Sequence, residues 1–369
     1  MKEVIYQQSV KWASRHRRLY YLLRCFHHIN DESFVRDVNN ESLSILRITS
    51  NGNKHKGKIL YRIEDGQSGF FANYVRVLFS LWYADTMGMY PVVIWGDKCP
   101  YYEKDGVNGI FNVWEYYFEQ YEDYHIEDLD SAYRVSDTVK DIKKLVFGIN
   151  TDYMLTKECI QELGRIMKKY ICLKPAIKDY IDQNIKSILG GKKTLGVQIR
   201  MGIMLNNFNN HPIVPTLDEY IEEIKSVYEK GYEQIFLATD DNRALERMKK
   251  EFGDCVVYYS DTTRVDGAYS TYCVNTMEEL HNYKCGLEVL LDMYTLASCS
   301  ALVAGLSKVS FSAQIAKAAF GEVYEDLRMI DKGLNHNRRT SPKKEQELAK
   351  RGDGINKIKN RGKVSIYSR

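Results

Sequence analysis

Several short stretches carry side chains that could do chemistry, and most of them fall where an apolar run ends. LGVQIRMG (195–202) is patterned as a buried strand and stops on Arg200. Fully buried parallel strands read as short apolar runs, and ligands of open α/β sheets sit beyond their carboxyl ends. Arg200 stands where such a ligand would lie, and its guanidinium fork suits a phosphate, although a salt-bridge role fits the same position. VAGLSKVSFSAQ (303–314) is a strand end followed by Gly305, Ser307, Ser310 and a helix start. Helix N-termini present free N–H groups and partial positive charge, which makes this a seat for a diphosphate; Ser310 or Ser312 could alternatively be an N-cap. In GLEVLLDMYTLAS, Glu288 and Asp292 are four residues apart and share a helix face, where like charges cost roughly 0.2–0.5 kcal/mol. A solvated outer face would explain them, but Leu287, Val289, Leu290, Leu291 and Met293 leave little outer face. A carboxylate facing a ligand could accept from donor pairs such as guanine N1–H and its 2-amino group. The pair Asp240–Asp241 ends another strand and is taken with the ligand side of the site rather than as a metal pair, with Asp241 also fitting a helix cap. The DLD at 128–130 lacks a strand-end setting, and no essential metal is expected.

The elements that must position these groups alternate. KILYRI (58–63), a helix over 70–88 and PVVIW (91–95) form one βαβ unit, with the turn containing Gly66 and Gly69 between strand and helix. Helical patterns over 156–170 and 175–189 lead to SILGGKK, read as a domain boundary. After the strand ending on Arg200, Thr216 and Glu219 form a capping-box signature for a helix closing at Gly231. Strand 234–239, helix 242–253, strand 256–260, helix 283–298, strand 301–305 and helix 310–321 follow. This alternation predicts an α/β fold of two Rossmann-like domains facing a cleft. Its divisions are a basic extension (1–50), a first α/β domain (51–190), a ligand-binding domain (191–330) and a basic tail (331–369). The aromatic crowd at 101–124 is read as core packing, with stacking on sugars as the alternative.

Composition bounds the function. The 369 residues suit two cores, and 44% hydrophobic content is ordinary for a globular protein. No run approaches the roughly 18 apolar residues of a membrane span. MKEVIYQQSVKWASRHRR has no apolar core or small-residue cleavage site, so no signal peptide is expected. The cysteines are scattered without a CxxC pair, which reads as reduced thiols in a cytoplasmic protein. The net charge of +3 is uneven: residues 331–369 carry 12 Lys/Arg against 4 Asp/Glu, and residues 1–30 carry six against one. Basic ends on an acidic body suit either an anionic surface such as lipid headgroups or a solvated tail. Trp12, Leu19, Tyr20 and Phe26 interleave with arginines as in an interfacial helix, or a helix docked on the core. The charged ends alone do not support nucleic acid as a partner.

The order GVQIR, HPI, DEYIEEI, IFLATDD, YSDTTR and GLEVLLDMYTLASCSALVAGLSKVS resembles the second half of GDP-fucose-dependent α-1,6-fucosyltransferases. GFFANYVRVLFSLWYADTMGMYPVVIWGD and NVWEYYFEQ resemble bacterial glycosyltransferases of the same superfamily, associated with surface polysaccharide synthesis. The resemblance spans about residues 58–325. It implies a GT-B fold, metal-independent inverting transfer without a cofactor, a GDP-sugar donor and a glycan acceptor. By position, Arg200 matches an arginine on the diphosphate, Asp292 an aspartate reading guanine, and Ser307 a phosphate-binding serine. Gly66 and Gly69 match a glycine loop near the phosphates. Two departures stand out: Gln198 replaces a histidine that touches the base, and loop 201–210 holds no carboxylate to act as general base. Candidates for the base are His211, Asp97, Glu103 and Glu115, with His211 also fitting a structural role before Pro212. The remaining readings are a transferase with another nucleotide sugar and a degenerate member that binds without turnover.

Overall fold

The computed structural model of the protein describes residues 48–137, 142, 155–274, 277–335 and 363–366. The basic stretch 1–30 and, of the basic tail, residues 336–362 and 367–369, read as suiting either an anionic surface or solvent, lie outside them. In chain order the strands are β1 (Ile48–Thr49), β2 (Leu60–Glu64), β3 (Tyr90–Ile94), β4 (Val135–Ser136), β5 (Thr194–Ile199), β6 (Gln234–Thr239), β7 (Val256–Val257), β8 (Ala301–Gly305), β9 (Leu327–Asp331) and β10 (Lys363–Ile366). The α-helices are α1 (Phe70–Met87), α2 (Trp114–Tyr117), α3 (Ile126–Ser131), α4 (Lys157–Tyr170), α5 (Pro175–Leu189), α6 (Leu217–Tyr228), α7 (Asn242–Phe252), α8 (His281–Ser298) and α9 (Lys308–Ala319). No helix among the described residues is long and apolar enough to cross a membrane.

Two sheets result, as the alternation predicts. The first runs β1-β4-β2-β3, with β2 and β3 parallel around α1. Gly88, at φ 64°, takes the left-handed position that ends α1 and donates to Asp85 O at 3.3 Å. The second runs β10-β9-β8-β5-β6-β7 and is parallel except for β10. Within it β5 lies between β6 and β8, so the chain leaves β5 one way and returns on its other side. That reversal is the switch point at which open sheets hold ligands.

Several element ends differ from expectation. The strand expected to run to Ser260 stops at Val257, because the following loop turns toward α8, where Thr263 N and Oγ1 donate to Glu288 at 2.9 and 3.3 Å. The helix expected from 310 starts at Lys308, since Ser307 is its cap. Strands β1, β4, β9 and β10 carry no periodic signal; β9 ends on the first residue of the stretch read as a tail, and β10 lies within that stretch.

The left-handed Gly190 and Gly191 separate α5 from β5 where the boundary was drawn. Yet one hydrophobic core runs through both halves, joining Phe70, Tyr74 and Leu163 to Leu290, Phe311 and Ile315. A Cβ on Gly164 of α4 would lie 2.8 Å from the Ala318 Cβ of α9. Gly164→Val is therefore expected to destabilise the protein by about 1–3 kcal/mol through overpacking, read as a lower denaturant midpoint. An unchanged midpoint would show that the two helices separate freely.

The aromatic stretch 101–124 is largely core: Trp114, Tyr116, Tyr117 and Phe118 are buried, and the Trp114 and Phe118 rings stack 4.2 Å apart. It also ties the halves together. Tyr283 N donates to Glu103 Oε1 at 2.9 Å, Asn282 Nδ2 to Tyr102 O at 2.9 Å, and Tyr117 OH to Tyr283 O at 2.9 Å. The Tyr117 and Tyr283 rings lie nearly parallel, and Gly286 leaves room for the Tyr117 hydroxyl, which a Cβ would meet at 2.2 Å.

Candidate functional site

Because β5, β6 and β8 are adjacent and parallel, their carboxyl ends place Arg200, Asp240 and the α9 N-terminus along one edge. The Arg200 guanidinium pairs with the buried Asp240 carboxylate, which also accepts from Met201 N at 3.0 Å. Gly202 follows at φ 34°; a Cβ there would meet Asp240 Oδ2, so the turn after Arg200 needs a glycine. The Arg200 side chain is still 32% exposed and lines two adjoining cavities.

The inner cavity, about 50 Å³, is bordered by Gln198, Arg200, Asp240, Glu288 and Asp292. Glu288 is engaged by Thr263, and burial raises its pKa above the usual carboxylate range. Asp292 is 9% exposed and makes no hydrogen bond among the described residues. Burial pushes its carboxyl up to about 8; the nearby Arg264 cation opposes the shift, while Glu288 and Asp240 add to it. A buried carboxyl without a hydrogen-bonding partner is costly and calls for a donor-bearing ligand.

The outer cavity, about 260 Å³, lies between the halves. Gly69, Phe70 and Phe71 border it on one side, and Arg200, His211, Ser307, Lys308 and Val309 on the other. Ser307 caps α9 by accepting from Ser310 N at 3.0 Å and donates to Gln198 Oε1 at 3.0 Å. Gln198 thus links the floor of the inner cavity to the helix N-terminus. Ser310 closes the capping box, its hydroxyl donating to Gly305 O at 2.9 Å. The first-turn N–H groups of such a helix have no intrahelical acceptor, and no acidic residue occupies the first turn of α9.

The structure brings together Gln198, Arg200, Asp240, Glu288 and Asp292 in the inner cavity, and Gly69, Arg200, His211 and Ser307 in the outer one. Ser310 sits behind Ser307. Gly66 and Asp241 border neither cavity. Gly66 donates to Asn73 Oδ1 at 2.9 Å and packs under the Arg76 guanidinium, which shapes the glycine turn from behind. Asp241 is fully buried, accepting from Arg243 N at 2.9 Å and from the Arg243 side chain, so its carboxylate holds the start of α7. Among the four candidates for the base, only His211 reaches the cleft. Glu103 is held by Tyr283, Glu115 accepts from Asn112 and Gln120 at 3.0 and 2.8 Å, and Asp97 is exposed away from both cavities. Asp128 of the DLD accepts from His125 N at 2.9 Å in the capping box of α3.

Sequence reasoning did not single out Thr263, Arg264, Tyr101 or Lys308. Arg264 donates to Tyr259 O at 2.9 Å and Thr262 O at 3.1 Å and lies over the Tyr258 ring, and burial lowers its pKa. The signal available for it was a cluster of hydroxyls and an arginine, SDTTR, after a strand. Tyr101 is buried and lines the outer cavity near Arg200, with its phenol raised by burial.

No protein-family model and no curated protein matches the chain. Among solved structures, the chain is similar to NodZ α-1,6-fucosyltransferase soaked with GDP-fucose, at 16% identity and TM-score 0.46, covering 77% of this chain and 98% of that one. POFUT1 in complex with GDP is similar at 10% identity and TM-score 0.42, covering 72% and 97%. An Arabidopsis thaliana FUT1 mutant in complex with GDP is similar at 11% identity and TM-score 0.41, covering 78% and 74%.

Proposed function

We propose that the protein is an inverting, metal-independent glycosyltransferase of GT-B architecture that uses GDP-fucose. The observation that carries this reading is the convergence of three groups on one cleft: Arg200, the Ser307-capped start of α9, and Asp292 without a hydrogen-bonding partner. An arginine and a helix N-terminus at one strand edge suit a diphosphate. A buried carboxylate beside them suits a base with two adjacent donors, as in guanine. The motif resemblance over 58–325 points the same way.

In this reading the acceptor hydroxyl attacks the anomeric carbon from the face opposite the diphosphate. The new C–O bond forms as the bond to the diphosphate oxygen breaks, and the electron pair leaves on the diphosphate. Arg200 and the α9 N-terminus neutralise that developing charge. His211 takes the hydroxyl proton, a contribution worth about 10²–10⁴-fold for a well-placed base. The acceptor is a bacterial surface glycan or lipid-linked oligosaccharide, reached by a cytoplasmic protein whose basic ends rest on the membrane.

Gln198 favours a second reading, a different nucleotide donor, because its carbonyl is held by Ser307 at 3.0 Å rather than directed wholly to the base. Calorimetric titration with GDP, UDP and CDP without divalent metal separates the two. Micromolar binding of GDP alone is expected; preference for another nucleotide would remove the guanine assignment, and binding of none would remove the donor site.

A further inference from the structure

Residues 333–335 fall in the stretch read from composition as a tail, but they pair with the loop that carries His211. Pro212 and Leu334 form an antiparallel bridge. Asn210 N donates to Asn335 O at 2.8 Å, Asn335 N to His211 O at 2.8 Å, and Ile213 N to Gly333 O at 3.0 Å. Asn335 is fully buried, and its side-chain Nδ2 reaches both His211 O, at 3.2 Å, and Pro212 O, at 3.4 Å. The His211 carbonyl therefore accepts from the backbone and the side chain of one residue. From the other side, His211 N donates to Phe208 O at 3.1 Å, and the Phe208 ring lies 5.6 Å from the imidazole. Pro212 restricts the backbone of His211 further.

We infer that Asn335 is a positioning residue that holds the His211 imidazole at the outer cavity. This rests on His211 being the base. Proton transfer requires the base within hydrogen-bond reach of the attacking hydroxyl, and a displacement of about 1 Å can cost 10²-fold. A short 3-10 helix, Gly202–Asn206, ends on the left-handed Asn207 at φ 51°, and from there through Asn210 at φ 61° to His211 no helix or strand fixes that distance. The clamp from beyond β9 supplies it.

The test is GDP release from GDP-fucose, with water as acceptor, by the full-length chain and its variants. Asn335→Ala removes the side-chain clamp. Gly333→Ala strains the same segment through a backbone at φ 84°, without deleting a buried amide. Each is expected to lower kcat about tenfold or more while the GDP Kd stays within about twofold, the separation expected of an orientation effect. On a His211→Ala background neither should lower kcat further, as in a double-mutant cycle between coupled groups. An equal loss on that background, or GDP affinity falling in step with kcat, would overturn the inference. If Asn335→Ala does not fold, Gly333→Ala completes the same cycle. A His211→Ala protein with the parental rate would remove the base assignment and this inference with it, while leaving donor binding intact.

Discussion

Arg200→Ala is expected to lower kcat for GDP release from GDP-fucose by about 10²–10³-fold, the scale on which removing one pre-organised donor to a developing oxyanion acts. Part of the loss comes from what remains behind. Asp240 is only 8% exposed, and without its guanidinium partner it leaves an uncompensated carboxylate beside the proposed diphosphate seat. Arg200→Ala with Asp240→Asn should therefore recover part of the rate, which no simple loss of packing would produce. Arg200→Lys should recover little, because a point charge cannot hold Asp240 and a phosphate oxygen with one planar fork. Rates within twofold of the parent for Arg200→Ala would move the diphosphate away from β5.

Asp292→Ala is expected to weaken GDP binding about 10- to 100-fold, matching the roughly 1.5–3 kcal/mol of a hydrogen bond to a charged group. The same residue makes binding pH-dependent. The unfolded chain ionises this carboxyl near 3.8, whereas the fold holds it protonated up to about 8. Between those values the folded state binds the extra proton, so this group's contribution to stability falls as pH rises from about 4 to 8 and is level above. Asp292→Asn should remove that decline in denaturant titrations at pH 5 and pH 8. Accepting two base donors requires the ionised form, so GDP binding should release a proton below pH 8 and tighten as pH rises toward it. Titrations in buffers of different ionisation enthalpy measure the release directly; a binding enthalpy independent of buffer at pH 7 would place the base elsewhere.

The features legible in the sequence were those set by local rules. Gly190, in the SILGGKK read as a boundary, stops α5 because it adopts the left-handed conformation, and Thr216 with Glu219 closes a capping box, with Glu219 N donating to Thr216 Oγ1 at 3.3 Å. The strand edge bearing Arg200, Asp240 and Ser307 followed from apolar runs alternating with helices. What stayed hidden depends on the partners that folding supplies. Of the neighbours Asp240 and Asp241, the second was legible as the cap that starts α7, whereas the first holds the cleft arginine only because β5 and β6 lie side by side. Glu288 and Asp292 share a helix face, yet Thr263 from a distant loop engages only the first. Residues 333–335 pair through backbone groups, and backbone hydrogen bonding leaves no mark in composition. Strands of two residues, such as β1 and β4, are too short for any alternation to be read.

The shared core has a consequence for how the chain is made. The buried face of α4, with Leu163, Ile166 and Met167, packs against α9, which is translated last among the described helices. Domains usually fold in order as they leave the ribosome, and α4 can meet α1 early through Asp85, but the surface that α9 offers it emerges only with residues 308–319. The part of its apolar face that α9 covers must wait through the synthesis of the second sheet. The packing that joins the two halves through α4 and α9 is thus a late step in the making of the protein.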